Sequence, residues 1–242
     1  MGKLIECKNL SVRLQGKCLY ENLNFTVNES DRYIFWGPNG AGKSLLLKLI
    51  HLGHNGLLAE KYKGLAVSGQ ILDKNGRDLI NPSAEERKIA YVSQEEIFRK
   101  NETVKEMCQM SCYGMGVELD EERFDFFLRE FGLYDKKNKR ISNNLSSGEA
   151  KIIHIISRLL TLKNVDLLLL DEPLNHLSFE NSKTFNRLML EEINKNPKLG
   201  IVMVSHCKAV TFPNKAIKYD SRSRTLVDPP YQSYDCFSDE EE

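Results

Sequence analysis

The sequence has no excess of either charge. Its 34 Lys and Arg balance 34 Asp and Glu, so the summed field draws the chain neither to nucleic-acid phosphates nor to an anionic membrane surface. It also has no apolar stretch approaching the roughly 18 to 20 residues that span a bilayer, since pure runs such as Leu167–Leu170 are short. A membrane role therefore implies a separate membrane partner. No secretory apolar region and no Arg/Ser-rich presequence precedes the strand-like start at Lys3-Leu4-Ile5, which leads us to expect a cytosolic address. The 6 cysteines lack the paired spacing of a disulfide framework. Cys108 and Cys112 would share a helix face, but two thiols are too few for a zinc site, so we expect buried structural thiols. His51 and His54 likewise lack a third ligand and are expected to be ordinary helix-end residues. What is present is a chain of 242 residues with 41 % hydrophobic content, enough for one large domain or two small ones.

Short apolar runs separated by Asn, Gly and Ser fill residues 3–36 and predict several strands, the last of which (Tyr33 to Trp36) leads into a glycine-rich loop. Leu45, Leu46, Leu49 and Ile50 then form a helix-spaced stripe. Val67–Leu72 and Ile89–Ser93 read as strands, and Thr103–Phe131 as helical. The apolar positions from Ile152 to Leu160 predict one strongly buried helix, followed by the buried strand Val165–Leu170, a helix over Phe179–Ile193 and a strand over Ile201–Val204. This alternation predicts an α/β fold with a largely parallel sheet covered by helices. From Asp228 onward the chain is polar and ends in an acidic run, which we expect to be mobile.

Three motifs carry chemistry. Gly37-Pro38-Asn39-Gly40-Ala41-Gly42-Lys43-Ser44 fits the phosphate-loop pattern G-x-x-x-x-G-K-[ST] between a strand and a helix. Glycines let backbone N–H groups turn inward around phosphates, and the helix N-terminus beginning at Lys43-Ser44-Leu45 adds its positive dipole end. Lys43 is expected to pair with the β- and γ-phosphates, and Ser44 to supply a hydroxyl to Mg²⁺. The strand ending in Asp171-Glu172 places one carboxylate for the metal, Asp171, and a neighbour, Glu172, able to polarise an attacking water. Ser146-Ser147-Gly148-Glu149 is a capping box opening the apolar helix, with serine hydroxyl and N–H groups exposed at a positive helix end.

In this order the motifs resemble those of the ATP-binding cassette (ABC) ATPases over nearly the whole chain. The resemblance aligns Gly37–Ser44 with the phosphate loop, Gln94 with the glutamine loop, Leu145–Glu149 with the signature, Asp171 and Glu172 with the Walker B strand and catalytic glutamate, Asn175–Ser178 with the loop after it, and His206 with the switch histidine. It implies a phosphate-loop NTPase of ABC type, with a mixed parallel sheet core, antiparallel N-terminal strands and a helical subdomain. Residues 1–94 and 145–228 would form the core, 95–144 the helical insertion and 229–242 a mobile acidic tail. It further implies ATP and Mg²⁺ as cofactors, with Gln94 joining Ser44 and Asp171 around the metal or its water. His206 would steady transition-state charge on the γ-phosphate, and a second cassette would cover the nucleotide with its signature helix.

The chain departs from the family pattern in places. Ser147 stands where most members have glycine, and Glu149 where many have glutamine. Arg13-Leu14-Gln15 replaces the usual adenine-stacking aromatic, which leaves Tyr20 as the candidate ring and the choice between ATP and GTP open. Asn175-His176-Leu177-Ser178 lacks the aspartate common in that loop. A single cassette without a fused module points to the ATP-hydrolysing subunit of a membrane transporter, docking through the segment near Phe98–Glu106, with no direct nucleic-acid partner. The alternative is a soluble ATPase acting on the ribosome or another assembly, which the Asn175-His176-Leu177 loop resembles. A binding-only protein is a third reading, against which Glu172 and His206 argue.

Overall fold

A computed structural model of the protein describes residues 2–54, 56–80, 88–94, 101–205 and 210–227. The chain divides into two compact units, Met1–Glu85 with Gly200–Glu242, and Glu86–Leu199. It begins in the first unit with β1 (Lys3–Leu14), β2 (Lys17–Asn28), β3 (Arg32–Trp36), α1 (Lys43–Leu52), α2 (Gly56–Lys61) and β4 (Leu65–Asp73). The second unit holds β5 (Ile89–Val92), α3 (Val104–Gly114), α4 (Glu121–Glu130), α5 (Ile141–Asn144), α6 (Ser147–Leu159), β6 (Leu167–Asp171) and α7 (Phe179–Lys195). The chain then returns to the first unit as β7 (Gly200–Val204), β8 (Lys215–Asp220) and β9 (Thr225–Val227).

In the first unit, β1 pairs antiparallel with both β2 and β4. Gln15 and Gly16, at φ 50° and 80°, make the two-residue turn between β1 and β2, a left-handed pair whose twist matches the hairpin. A second sheet carries β3 between parallel neighbours β7 and β8, with β9 antiparallel on β8. The all-apolar β7 is buried along its whole length, as a strand covered on both faces must be. Helix α1 buries Leu45, Leu46, Leu47, Leu49 and Ile50. It ends at Gly53 (φ 72°), whose N–H closes on the carbonyl of Leu49.

In the second unit, β5 and β6 run parallel, Ile89 opposite Leu167 through Val92 opposite Leu170. Helix α6 is buried from Ala150 to Ser157, its isoleucines forming core while the polar side chains Lys151, Ser157 and Arg158 donate to backbone carbonyls. The expected helical stretch 103–131 is two helices, α3 and α4, each opened by its own cap: Thr103 with Glu106, and Asp120. Cys108 and Cys112 are buried in α3, as expected of structural thiols, and burial pushes both thiols up in pKa. The polar segment from Asp228 lies outside the described residues.

Candidate functional site

The first unit presents the glycine loop. Strand β3 delivers the chain to Gly37, and α1 begins at Lys43, so residues 37–42 form the whole connection. Gly37, Gly40 and Gly42 all lie at positive φ (149°, 76° and 87°), and two of them are also held by close approach. A Cβ on Gly37 would stand 2.8 Å from Tyr219 Cβ, and one on Gly42 would meet Leu19 and Tyr20 at 3.2 Å. A side chain at either position would push the loop off its seat. Lys43 folds back over the loop and donates to the carbonyls of Gly37 (2.6 Å) and Pro38 (3.0 Å). The N-cap of α1 is Gly42, which supplies no side-chain acceptor to the N–H groups of the first turn, Lys43, Ser44 and Leu45 among them. An ammonium over the loop and a helix N-terminus without a side-chain cap fit a polyphosphate group. Tyr20, the candidate adenine ring, is corrected by the structure. It is fully buried, packs edge-on against Tyr219 at 5.5 Å and offers no face to a base.

The second unit gathers most of the remaining candidates. Because β5 and β6 are parallel and in step, Gln94 and Glu172 each follow their strand's last paired residue by two positions, and both lie at the same C-terminal edge with Asp171. This is the edge at which α/β sheets place ligands. Asp171 is fully buried and accepts a hydrogen bond from the Tyr91 hydroxyl at 2.9 Å. Glu172 is buried in the left-handed region (φ 48°), which ends the strand and turns the chain sharply. Such a conformation costs about 1 to 3 kcal/mol in a non-glycine residue and is kept where the surroundings over-determine it. Gln94 is exposed, and its carbonyl accepts from Lys151 at 3.2 Å, while Ser93 accepts from the same ammonium at 2.6 Å.

The capping box is formed as expected. Ser146 N donates to the Glu149 carboxylate at 2.7 Å, and Glu149 N donates to Ser146 Oγ at 3.3 Å. Gly148, in the first turn of α6, has the carbonyl oxygen of His176 only 2.6 Å from where a Cβ would stand. The start of α6 and the loop after Glu172 are thus in backbone contact, with Ser147 exposed beside them. Ser178 caps α7 by accepting from Asn181 N at 3.2 Å. His206 lies outside the described residues.

Sequence reasoning missed Tyr91 and Lys151. Tyr91 binds a partner 80 residues away, and nothing local marks it. Lys151 is fully buried on a helix whose apolar neighbours were readable, and a lone lysine inside such a stripe was the available signal.

A strand-to-helix phosphate loop in a mixed α/β sheet defines the class, a phosphate-loop NTPase fold. The family model described as ABC transporter matches residues 20–175, and the chain belongs to that family as a single nucleotide-binding domain. It is similar to a probable metal transport system ATP-binding protein of Thermotoga maritima, 29 % identical over 87 % of this chain and 78 % of that one. It is also similar to the zinc uptake system ATP-binding protein ZurA of Listeria monocytogenes, 30 % identical over 92 % of this chain and 84 % of that one. Among solved structures, the ATP-binding subunit of an ABC transporter superposes with a TM-score of 0.71 at 25 % identity, covering 89 % of this chain and 85 % of that one. Members of this family bind and hydrolyse ATP, in general with Mg²⁺, as components of transporter complexes. Among the described residues no helix is long and apolar enough to cross a membrane.

Proposed function

We propose that this chain binds MgATP through Gly37–Leu45 and hydrolyses it to energise a transporter whose membrane-spanning subunits are separate chains. The observation that carries this reading is the loop from Gly37 to Gly42, with its positive-φ glycines and the Lys43 ammonium folded over it ahead of a helix that has no side-chain cap. Lys43 would pair with β- and γ-phosphate oxygens, and backbone N–H groups from Gly40 to Leu45 would cradle them. Ser44 and Asp171, with Gln94, would hold Mg²⁺ directly or through water. When bound, the ion would help neutralise the charge that develops on the β- and γ-phosphates. Glu172 would orient the attacking water and accept its proton, and His206 would steady the charge on the γ-phosphate.

The exposed capping box at Ser146–Glu149 suits a site shared between two cassettes, in which this helix end covers nucleotide held by a second copy or a related chain. The protein would then work at the inner face of a membrane, held there by its partners. The relatives described above are named for transport systems, which favours this reading over a soluble ATPase acting on the ribosome. Cargo would be selected by the membrane subunits.

Glu172→Gln tests the chemistry. It should retain ATP binding, slow turnover by orders of magnitude and accumulate an ATP-held dimer, whereas Lys43→Ala should lose most nucleotide affinity. Wild-type turnover in Glu172→Gln removes the base assignment, and unchanged nucleotide binding in Lys43→Ala removes the phosphate-loop assignment. Tagged Glu172→Gln protein, captured from detergent-solubilised cells with MgATP, should bring integral membrane proteins in stoichiometric amount. Recovery of ribosomal proteins instead would favour the soluble alternative.

A further inference from the structure

Tyr91 is the third residue of β5, only 8 % exposed, and its hydroxyl donates to Oδ2 of the fully buried Asp171 at 2.9 Å. The strand register explains how the two meet. Tyr91 is paired with Leu169, and side chains two apart on a strand share a face, so Asp171 is the diagonal neighbour of Tyr91 on that face. Neighbouring strands lie about 4.8 Å apart and rise about 3.3 Å per residue, which puts such diagonal neighbours about 8 Å apart, a gap that an aromatic ring can bridge and a short side chain cannot. The backbone of Tyr91 is itself tied down. Its carbonyl accepts from Arg158 Nε at 3.1 Å, and the same guanidinium donates to Ser111 Oγ at 3.0 Å, so α6 and α3 both brace the strand that carries the phenol.

A buried carboxylate at a strand end has a rotatable plane, and a donor aimed at one oxygen fixes it. We propose that Tyr91 is a positioning residue for the metal-binding carboxylate, setting the orientation of Asp171 before Mg²⁺ and nucleotide arrive. The inference rests on Asp171 being the Mg²⁺ carboxylate. Partners that orient a metal-binding group from the outer shell are worth about 10- to 100-fold in metal affinity. Phenylalanine removes the donor and keeps the ring, so Tyr91→Phe isolates the hydrogen bond from the packing.

The test uses the full chain with a non-hydrolysable ATP analogue and Mn²⁺ as a spectroscopic substitute for Mg²⁺, followed by electron paramagnetic resonance. Four proteins are compared: wild type, Tyr91→Phe, Asp171→Asn and the double variant. Tyr91→Phe should bind Mn²⁺ about tenfold or more weakly, with metal-free analogue binding unchanged, and the double variant should bind no more weakly than Asp171→Asn alone. Wild-type Mn²⁺ affinity in Tyr91→Phe, or losses that add in the double variant, would overturn the positioning role while leaving Asp171 as a ligand. Unchanged affinity in Asp171→Asn would overturn the metal assignment itself, and the inference with it.

Discussion

Replacing Gly148 by alanine sets two effects of opposite sign against each other. Within a helix, alanine is favoured over glycine by about 1 kcal/mol, so propensity alone predicts a stabilised α6. The structure predicts the reverse. The added Cβ would stand 2.6 Å from the carbonyl oxygen of His176, about 0.8 Å inside the 3.4 Å edge of ordinary contact. That oxygen belongs to the backbone, so no side chain can swing away. Its loop is short and cross-braced: Asn175 N donates to the Glu172 carbonyl at 3.3 Å, Leu177 N to that of Leu174 at 3.1 Å, and Glu172 and His176 both sit at positive φ. Overpacking of this kind costs about 1 to 3 kcal/mol, and the unyielding backbone contact puts this case toward the upper end, which leaves a net destabilisation of up to about 2 kcal/mol after the helix gain. For a chain of this size that is a drop in melting temperature of up to about 4 to 8 °C. ATPase activity should fall further than stability does, because a displaced His176 carries the Glu172 turn with it. Thermal melting followed by circular dichroism reads the first effect, and steady-state phosphate release the second. The exposed Ser147→Ala, one residue earlier, should change stability by less than about 0.5 kcal/mol. If Gly148→Ala melts at or above the wild-type temperature, the approach of the His176 loop is not what requires glycine at this position.

His154 and the two capping boxes give further tests. Burial, then the nearby charges of Arg158 and Lys151, lower the His154 pKa from 6.5 to about 3. The unfolded chain therefore takes up a proton that the folded chain refuses as pH falls below 6.5, and stability present above that pH drains away, by about 2 kcal/mol at pH 5. Urea unfolding at pH 7 and pH 5 should show this loss in the wild type and not in His154→Leu, and parallel losses in both would discard the assignment. Thr103 and Ser146 both head complete capping boxes, with Glu106 and Glu149 respectively. Alanine at either should cost about 1 kcal/mol of stability, but only Ser146→Ala should lower ATPase activity beyond that cost. Equal activity losses would show that the α6 box has a structural role alone.

The regular elements were legible wherever burial imposed a period. The stripe Leu45, Leu46, Leu49, Ile50 became α1, and the uninterrupted apolar run ending at Leu170 became β6, extended by Asp171. The strand β8 leaves little mark in the sequence, because only Ile217, Lys218 and Tyr219 alternate buried, exposed and buried, and three residues of alternation are too few to stand out. The short helices α2 and α5 hold too little sequence to show a helical period. Tyr20 was misjudged because aromatic character says nothing about which face is free, and the edge-on contact with Tyr219 decides that.

Within the candidate site, what was legible and what was not divide along one physical line. Side-chain motifs such as Gly37–Ser44 and Asp171-Glu172 are written in residue types and can be found by spacing. The contacts that hold them in place end largely on backbone carbonyls: Lys43 on Gly37 and Pro38, Lys151 on Ser93 and Gln94, Arg158 on Tyr91, and the missing Cβ of Gly148 against His176. Every residue carries a carbonyl, so an acceptor of this kind leaves no trace in the sequence at its own position. The trace is left on the other side of the contact, as a residue that its surroundings cannot otherwise accommodate. A lysine inside an apolar helix must bring a polar partner with it, because burying an unpaired ammonium costs several kcal/mol. A glycine in a helix forfeits about 1 kcal/mol unless something stands where its side chain would be. Lys151 and Gly148 both break the pattern of α6, and both mark where that helix meets a loop carrying candidate catalytic residues: Gln94 in one case, Glu172 in the other.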